Sequence, residues 1–296
     1  MCTNLTIHCA DQTLLAATLY AAKHAPAGGV LIGPATGVKR QFYHHFARYL
    51  SSQGFTVLTY DNRGIGDSLH GSVSDCMADL VQWGSLDMPA ALSALRQHVA
   101  DAPLYLLGHS AGGQLAGLMP NVQQFNAIFN FGSSSGQLDN MAMPYRLKAH
   151  FFMNLFIPLS NLLVGHTHAQ WLNMGEPLPK RVASQWRRWC NGQGYAVTGF
   201  GKEIAQHWYE DVRAPIHWVL ASDDDIANYT NVHNMASVFR HADNSFEVLH
   251  PEANNLREIG HMKFFSRRCS ALWPMVSEFF RRHASVSRES LTQHRL

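Results

Sequence analysis

Residues 103–114 read PLYLLGHSAGGQ, and the fold of the chain turns on them. Pro103–Leu107 is a short apolar run of the kind that forms a strand buried on both faces. Gly108-His109-Ser110-Ala111-Gly112 follows at once, a G-x-S-x-G pentapeptide, and a helical pattern opens near Ala111. Strand, sharp turn and helix in that order make a nucleophile elbow. The glycines leave room where strand and helix come close, and the serine is pushed out above the sheet at the positive end of a helix. A serine hydroxyl is a poor nucleophile until a neighbouring base takes its proton. The rest of the chain should therefore supply an acid and then a histidine, in that order after the serine.

Working outward from the elbow, strand and helix signals alternate. Leu5–Cys9 and Leu14–Tyr20 predict an antiparallel hairpin around Asp11-Gln12. Gly29–Ile32, Phe55–Tyr60, Pro103–Leu107 and Ala127–Phe131 predict buried strands. Between them, Phe42, Phe46, Tyr49 and Leu50 recur at helical spacing, Asp79–Val99 reads as a helix kinked or restarted at Pro89, and Ser110–Met119 as another. Such alternation implies right-handed crossovers and a mostly parallel sheet with helices on both faces, an α/β fold. The pattern resumes with a strand at Pro215–Ala221, a helix near Val232–Phe239, a strand at Ser245–His250 and a final helix over Lys263–Phe280 that Pro274 interrupts.

From Ser133 to about Val212 strand signals vanish and aromatics accumulate. An inserted helical layer capping one end of the sheet is expected, with a purely stabilising second core as the alternative. The resulting division is 1–132 for the first part of the core, 133–212 for the cap, 213–283 for the second part of the core and 284–296 for a polar tail.

The histidine best placed to act as base is His261 in Ile259-Gly260-His261-Met262, on a loop after the last strand. His109 is beside the serine, but elbow geometry turns its side chain away from where a base must stand. The acid should follow Pro215–Ala221, where Asp223, Asp224 and Asp225 are adjacent. Register favours Asp224, then Asp223, then Asp225, and Asp139 after the strand Ala127–Phe131 is a further candidate. The acid accepts the imidazole N–H and fixes its tautomer. Acyl transfer also needs backbone N–H donors for the oxyanion: Ala111 after the serine, and Thr36, or else Ala35, in the loop Gly33-Pro34-Ala35-Thr36-Gly37-Val38.

Composition limits the alternatives. Of 296 residues, 46% are hydrophobic and only 15% charged, which favours an extensive interior over disorder. The net charge of +2 gives neither the basic field of a nucleic-acid binder nor a polybasic membrane patch. Five scattered cysteines without C-x-x-C suggest no disulfide framework and no cysteine zinc site. The close histidine pairs, His44-His45 and His166-x-His168, lack H-E-x-x-H form, so no metal and no cofactor are predicted. The apolar run Phe151–Val164 is interrupted by Asn154, Pro158, Ser160 and Asn161 and is too short to span a bilayer. With no signal-peptide pattern at the start, a cytoplasmic protein without stable membrane insertion is expected.

These motifs resemble the α/β-hydrolase superfamily over nearly the whole chain. Besides GHSAG, Tyr60-Asp61-Asn62-Arg63-Gly64-Ile65-Gly66-Asp67-Ser68 is similar to its D-x-R-G-x-G-x-S segment, SDDDIA to its acid loop and GHMKFF to its histidine loop. The resemblance implies that Asp61 and Arg63 are structural. GPATG, GHSAGGQ, QWRRW and GHMKFF together look like a bacterial subset of predicted hydrolases grouped with serine aminopeptidase-like proteins. The usual His-Gly before the oxyanion residue is replaced by Pro34-Ala35, which leaves the second donor open. Residues and resemblance together predict a serine hydrolase acting on a small-molecule carboxylic ester or thioester, with Ser110, Asp224 and His261 as triad. A peptidase, an acyltransferase and a catalytically silent ligand-binding protein are the alternatives.

Overall fold

The computed structural model describes residues 2–24, 26–172 and 175–284. All but the first residue of the expected polar tail lies outside them. Eight strands form one sheet: β1 (Cys2–His8), β2 (Leu14–Tyr20), β3 (Gly28–Gly33), β4 (Phe55–Tyr60), β5 (Leu104–His109), β6 (Phe125–Phe131), and β9 (Ile216–Ala221) and β10 (Asn244–Leu249) after a small pair, β7 (His166–Thr167) and β8 (Leu178–Pro179). Their order is β1–β2–β4–β3–β5–β6–β9–β10, antiparallel for β1–β2 and β2–β4 and parallel for the rest.

The central strands are apolar throughout because both faces of the sheet are covered. Leu31, Leu58, Leu106 and Ile128 enter one hydrophobic core, while their neighbours Val30, Val57, Leu107 and Phe129 enter the other. This is the α/β-hydrolase fold, a mostly parallel sheet flanked by helices. No described helix is long and apolar enough to cross a membrane.

Two helices near the site differ from the sequence reading. The run after Ser110 is α-helical only over Ala111–Gln114 and continues as a 3-10 turn, Ala116–Leu118. Tyr209 Oη donates to the Gln114 carbonyl (2.7 Å) and the Trp208 N–H to the Gly117 carbonyl (2.6 Å), taking the acceptors that a longer helix would use. The final helix begins at Pro274 and runs to Arg282, because proline fits a first turn but not an interior. Pro89 restarts its helix as expected: a π turn, Trp83–Asp87, leads into the α-helix Met88–Arg96, with the proline in its first turn.

Between β6 and β9 lies a helical layer, chiefly Tyr145–Leu163 and Lys180–Cys190. The first of these helices passes Pro158 in the same way, through the π turn Phe152–Phe156.

Candidate active site

The elbow is set by close backbone packing. A Cβ added to Gly112 would sit 2.0 Å from the Gly33 carbonyl oxygen, and one added to Gly108 would sit 2.5 Å from Gly113 Cα. With no side chains there, β5 turns directly into the helix Ala111–Gln114. Ser110 takes the corner at φ 50° and ψ −113°, a left-handed backbone that a residue with a side chain adopts at a cost. The Ser110 N–H donates to the Phe131 carbonyl (3.0 Å) and Ser133 Oγ donates to the Ser110 carbonyl (2.9 Å), so the strained corner is held from two sides.

Asp223, Asp224 and Asp225 follow β9 and do different things. Asp224 is buried, and its Oδ2 stands 2.7 Å from His261 Nδ1. Its Oδ1 accepts the N–H groups of Ile226 (2.8 Å) and Ala227 (2.9 Å). Burial raises the Asp224 pKa, but His261 and these donors outweigh it and hold the carboxyl below its ordinary range. The ionised carboxylate can only accept, so His261 Nδ1 carries the proton and Nε2 keeps its lone pair.

Asp223 accepts the N–H groups of Ile259 and Gly260, each at 2.9 Å, and so anchors the loop that carries His261. Asp225 is exposed. Asp139 pairs with Arg146 (2.7 Å) on the surface. Burial would lower the His261 pKa, yet the Asp224 carboxylate overrides it and the net shift is upward.

Sequence reasoning missed the support behind this loop. His109 is fully buried, and its Nε2 donates to the His261 carbonyl (2.9 Å), since a carbonyl can only accept. Nδ1 is then the acceptor for Tyr43 Oη (2.8 Å), which itself accepts the Ala35 N–H (2.9 Å). A single buried chain thus joins the loop after β3, the residue before Ser110 and the backbone of His261. Burial, with His261 nearby, pushes His109 down to about 3, so it stays neutral at physiological pH. Gly132, in a left-handed conformation after β6, lies under the ring: a Cβ there would be 3.1 Å from His261 Nδ1. Its position at a strand end was the only sequence signal. Tyr43 gave none.

Ala35 spends its N–H on Tyr43, which removes it as an oxyanion donor. Ala111 opens its helix, where the first N–H groups have no intrahelical acceptor. Thr36 follows Ala35 in the same loop, and Thr36, Ser110 and His261 line one cavity of about 740 Å³. Its far wall comes from the helical layer, including Tyr145, Phe152, Met153 and Trp186. Lys148 is the one permanently charged side chain on the lining, and no Asp or Glu is among the described residues there.

Asp61 and Arg63 are elsewhere: Asp61 pairs with Arg40, and Arg63 with Asp11 and Asp87. Among the described residues no group of three or more His, Cys, Asp or Glu could hold a metal ion.

Elbow, facing acid–histidine pair and parallel sheet define an α/β hydrolase by architecture. Residues 24–171, half of the chain, match the family described as serine aminopeptidase, S33, and the chain belongs to that family. Among curated proteins no relative matches significantly by sequence.

Solved structures similar in fold include a highly thermostable carboxyl esterase from Bacillus coagulans in complex with glycerol, 14% identical, covering 96% of this chain and 99% of that one at a TM-score of 0.63. A soluble variant of monoglyceride lipase from Saccharomyces cerevisiae with a substrate analogue is 15% identical, covering 92% of each chain at 0.64. DcsB in complex with its substrate analogue is 14% identical, covering 96% of this chain and 99% of that one at 0.64. Identities this low establish the fold, and a shared fold by itself selects no substrate.

Proposed function

We propose that the protein is a serine hydrolase that cleaves a carboxylic ester or thioester through an acyl-enzyme. The observation that carries this reading is the 2.7 Å contact between Asp224 and His261, with His261 and the strained Ser110 lining the same cavity. Ser110 Oγ attacks the acyl carbonyl while His261 Nε2 takes its proton. The N–H groups of Ala111 and Thr36 hold the oxyanion. His261 then protonates the departing alcohol or thiol, and afterwards activates the water that frees the acid and restores Ser110. Asp224 keeps the imidazole in the required tautomer and stabilises its charged form.

The apolar wall formed by Phe152, Met153 and Trp186 suits an acyl or aryl group. The esterase and lipase named among the similar structures lean the same way. The family's description points instead to a peptidase. A substrate amino group would want a carboxylate on the lining, however, and the charge found there is Lys148.

The test is intact mass after treatment with a fluorophosphonate. One adduct is expected on the wild type and none on Ser110→Ala or His261→Ala. A folded wild type that stays unlabelled would overturn the reading, whereas once labelling is seen a panel of esters, thioesters and peptides separates the substrate classes.

A further inference from the structure

One turn of the cavity wall departs from its apolar surroundings. The helix Tyr145–Phe151 gives the lining two polar side chains, Tyr145 and Lys148, three residues apart and therefore on one face. Tyr145 is half-buried and Lys148 exposed. Neither head group has a hydrogen-bond or ion-pair partner among the described residues. Other cations of the layer are neutralised locally: Arg146 pairs with Asp139, Arg181 with Asp79 and Arg188 with Glu203. Lys148 is not.

Both groups are donors. Burial, with the charges of Asp224 and Asp225 added, pushes the Tyr145 phenol up to about 12, so it keeps its proton. Burial and the Asp224 charge raise the Asp225 carboxyl, and the Lys148 charge draws it back without forming an ion pair. Tyr145 and Lys148 thus stand within electrostatic reach of the loop that carries the triad acid. Asp225 itself is exposed and off the lining, so it does not fill the space between them and a substrate. A lone lysine at a cavity mouth is satisfied by water. A second protonated donor on the same wall, in a lining without Asp or Glu, makes a place for an acceptor that carries negative charge.

We propose that Tyr145 and Lys148 recognise a carboxylate on the substrate, remote from the reacting carbonyl, so that the substrate class is an anionic ester or thioester. The carboxylate belongs either to the acyl part or to the leaving group, and the chemistry of recognition is the same for both. Phe152, Met153 and Trp186 then hold the apolar part of the molecule. The reaction rests on the hydrolase reading; the anion site does not.

The experiment compares matched pairs of esters on the full chain. Mono-4-nitrophenyl adipate against 4-nitrophenyl hexanoate places the charge on the acyl part. The hexanoyl ester of 4-hydroxybenzoate against that of methyl 4-hydroxybenzoate places it on the leaving group. In one of the pairs the anionic member is expected to have the higher kcat/KM by about tenfold, and salt should reduce the ratio. Lys148→Met should bring that ratio to about one and Lys148→Glu should invert it, while Tyr145→Phe should lower it by about threefold. A ratio taken within one variant is unaffected by how much of that variant is folded.

Esters that are hydrolysed with no preference for the anion in either pair overturn the proposal and leave the hydrolase reading standing. A preference that survives in Lys148→Met overturns it too, because the anion is then held elsewhere. Calorimetric titration of Ser110→Ala with monomethyl adipate and with dimethyl adipate needs no turnover. Tighter binding of the monoester that is lost in Ser110→Ala/Lys148→Met supports the anion site even if no ester is cleaved and no fluorophosphonate adduct forms. Equal binding of the two overturns an anion site on the acyl side.

Discussion

The carboxyl edge of the sheet and the helical layer facing it across the cavity are built on opposite plans. At the sheet edge Asp223, Asp224, His109 and His261 are each fixed by hydrogen bonds to backbone or to one another. In the layer, the side chains that face the cavity are mostly apolar, Lys148 being the charged exception, and polar ones such as Asn161 are turned into its own interior. The first plan fixes proton positions; the second provides shape and apolar area. Changes at the edge should therefore strike turnover, and changes in the layer should strike selection among substrates.

The sharpest way to break that contrast lies within the aspartates. Asp224→Asn leaves the shape but reverses the tautomer preference of His261, and kcat on any ester substrate is expected to fall about 10⁴-fold with little change in KM. Asp223→Ala frees the loop instead of the ring, and the fall should be roughly tenfold to a hundredfold, with a lower melting temperature. Equal losses in steady-state kinetics would erase the distinction between the two carboxylates.

The pH profile sharpens the same point. On the proposed mechanism His261 acts in its neutral form, and the Asp224 carboxylate raises its pKa above the ordinary value of about 6.5. A profile of kcat/KM should thus be flat on the alkaline side of that raised pKa and fall about tenfold per unit on the acid side. A profile still flat at about pH 5 would mean that a different group takes the serine proton.

The smallest effect belongs to the layer. Trp186→Ala should raise KM for long acyl esters by about tenfold, leave short ones nearly unchanged and leave the rate of fluorophosphonate labelling intact. A uniform drop in kcat across chain lengths would show that the layer positions the catalytic groups after all.

The strands were legible because a run buried on both faces has no polar side to blur its ends: Phe55–Tyr60 is read at its observed boundaries. Helices were legible only where nothing distant interfered. The one after Ser110 ends early because Tyr209, far along the chain, takes the Gln114 carbonyl, and no local pattern announces that. Among the three aspartates residue type is uninformative. The turn after β9, closed by the Asp224 N–H on the Ala221 carbonyl, decides which carboxylate meets the ring. The Tyr43–His109 chain was invisible for a plainer reason: its members are 66 residues apart, and each alone looks like an ordinary buried aromatic ring. That Leu155, Leu159, Leu162 and Leu163 are exposed while Ser160 and Asn161 are buried was masked because Phe151–Val164 reads as apolar with interruptions, and which side the interruptions face is a tertiary property.

The backbone at Ser110 has one more implication. Side chains at such φ and ψ cost a protein on the order of 1–3 kcal/mol, and glycine is the residue that escapes the charge. Selection for heat resistance alone would drift this position toward glycine. A serine held there is a cost that stability by itself does not explain.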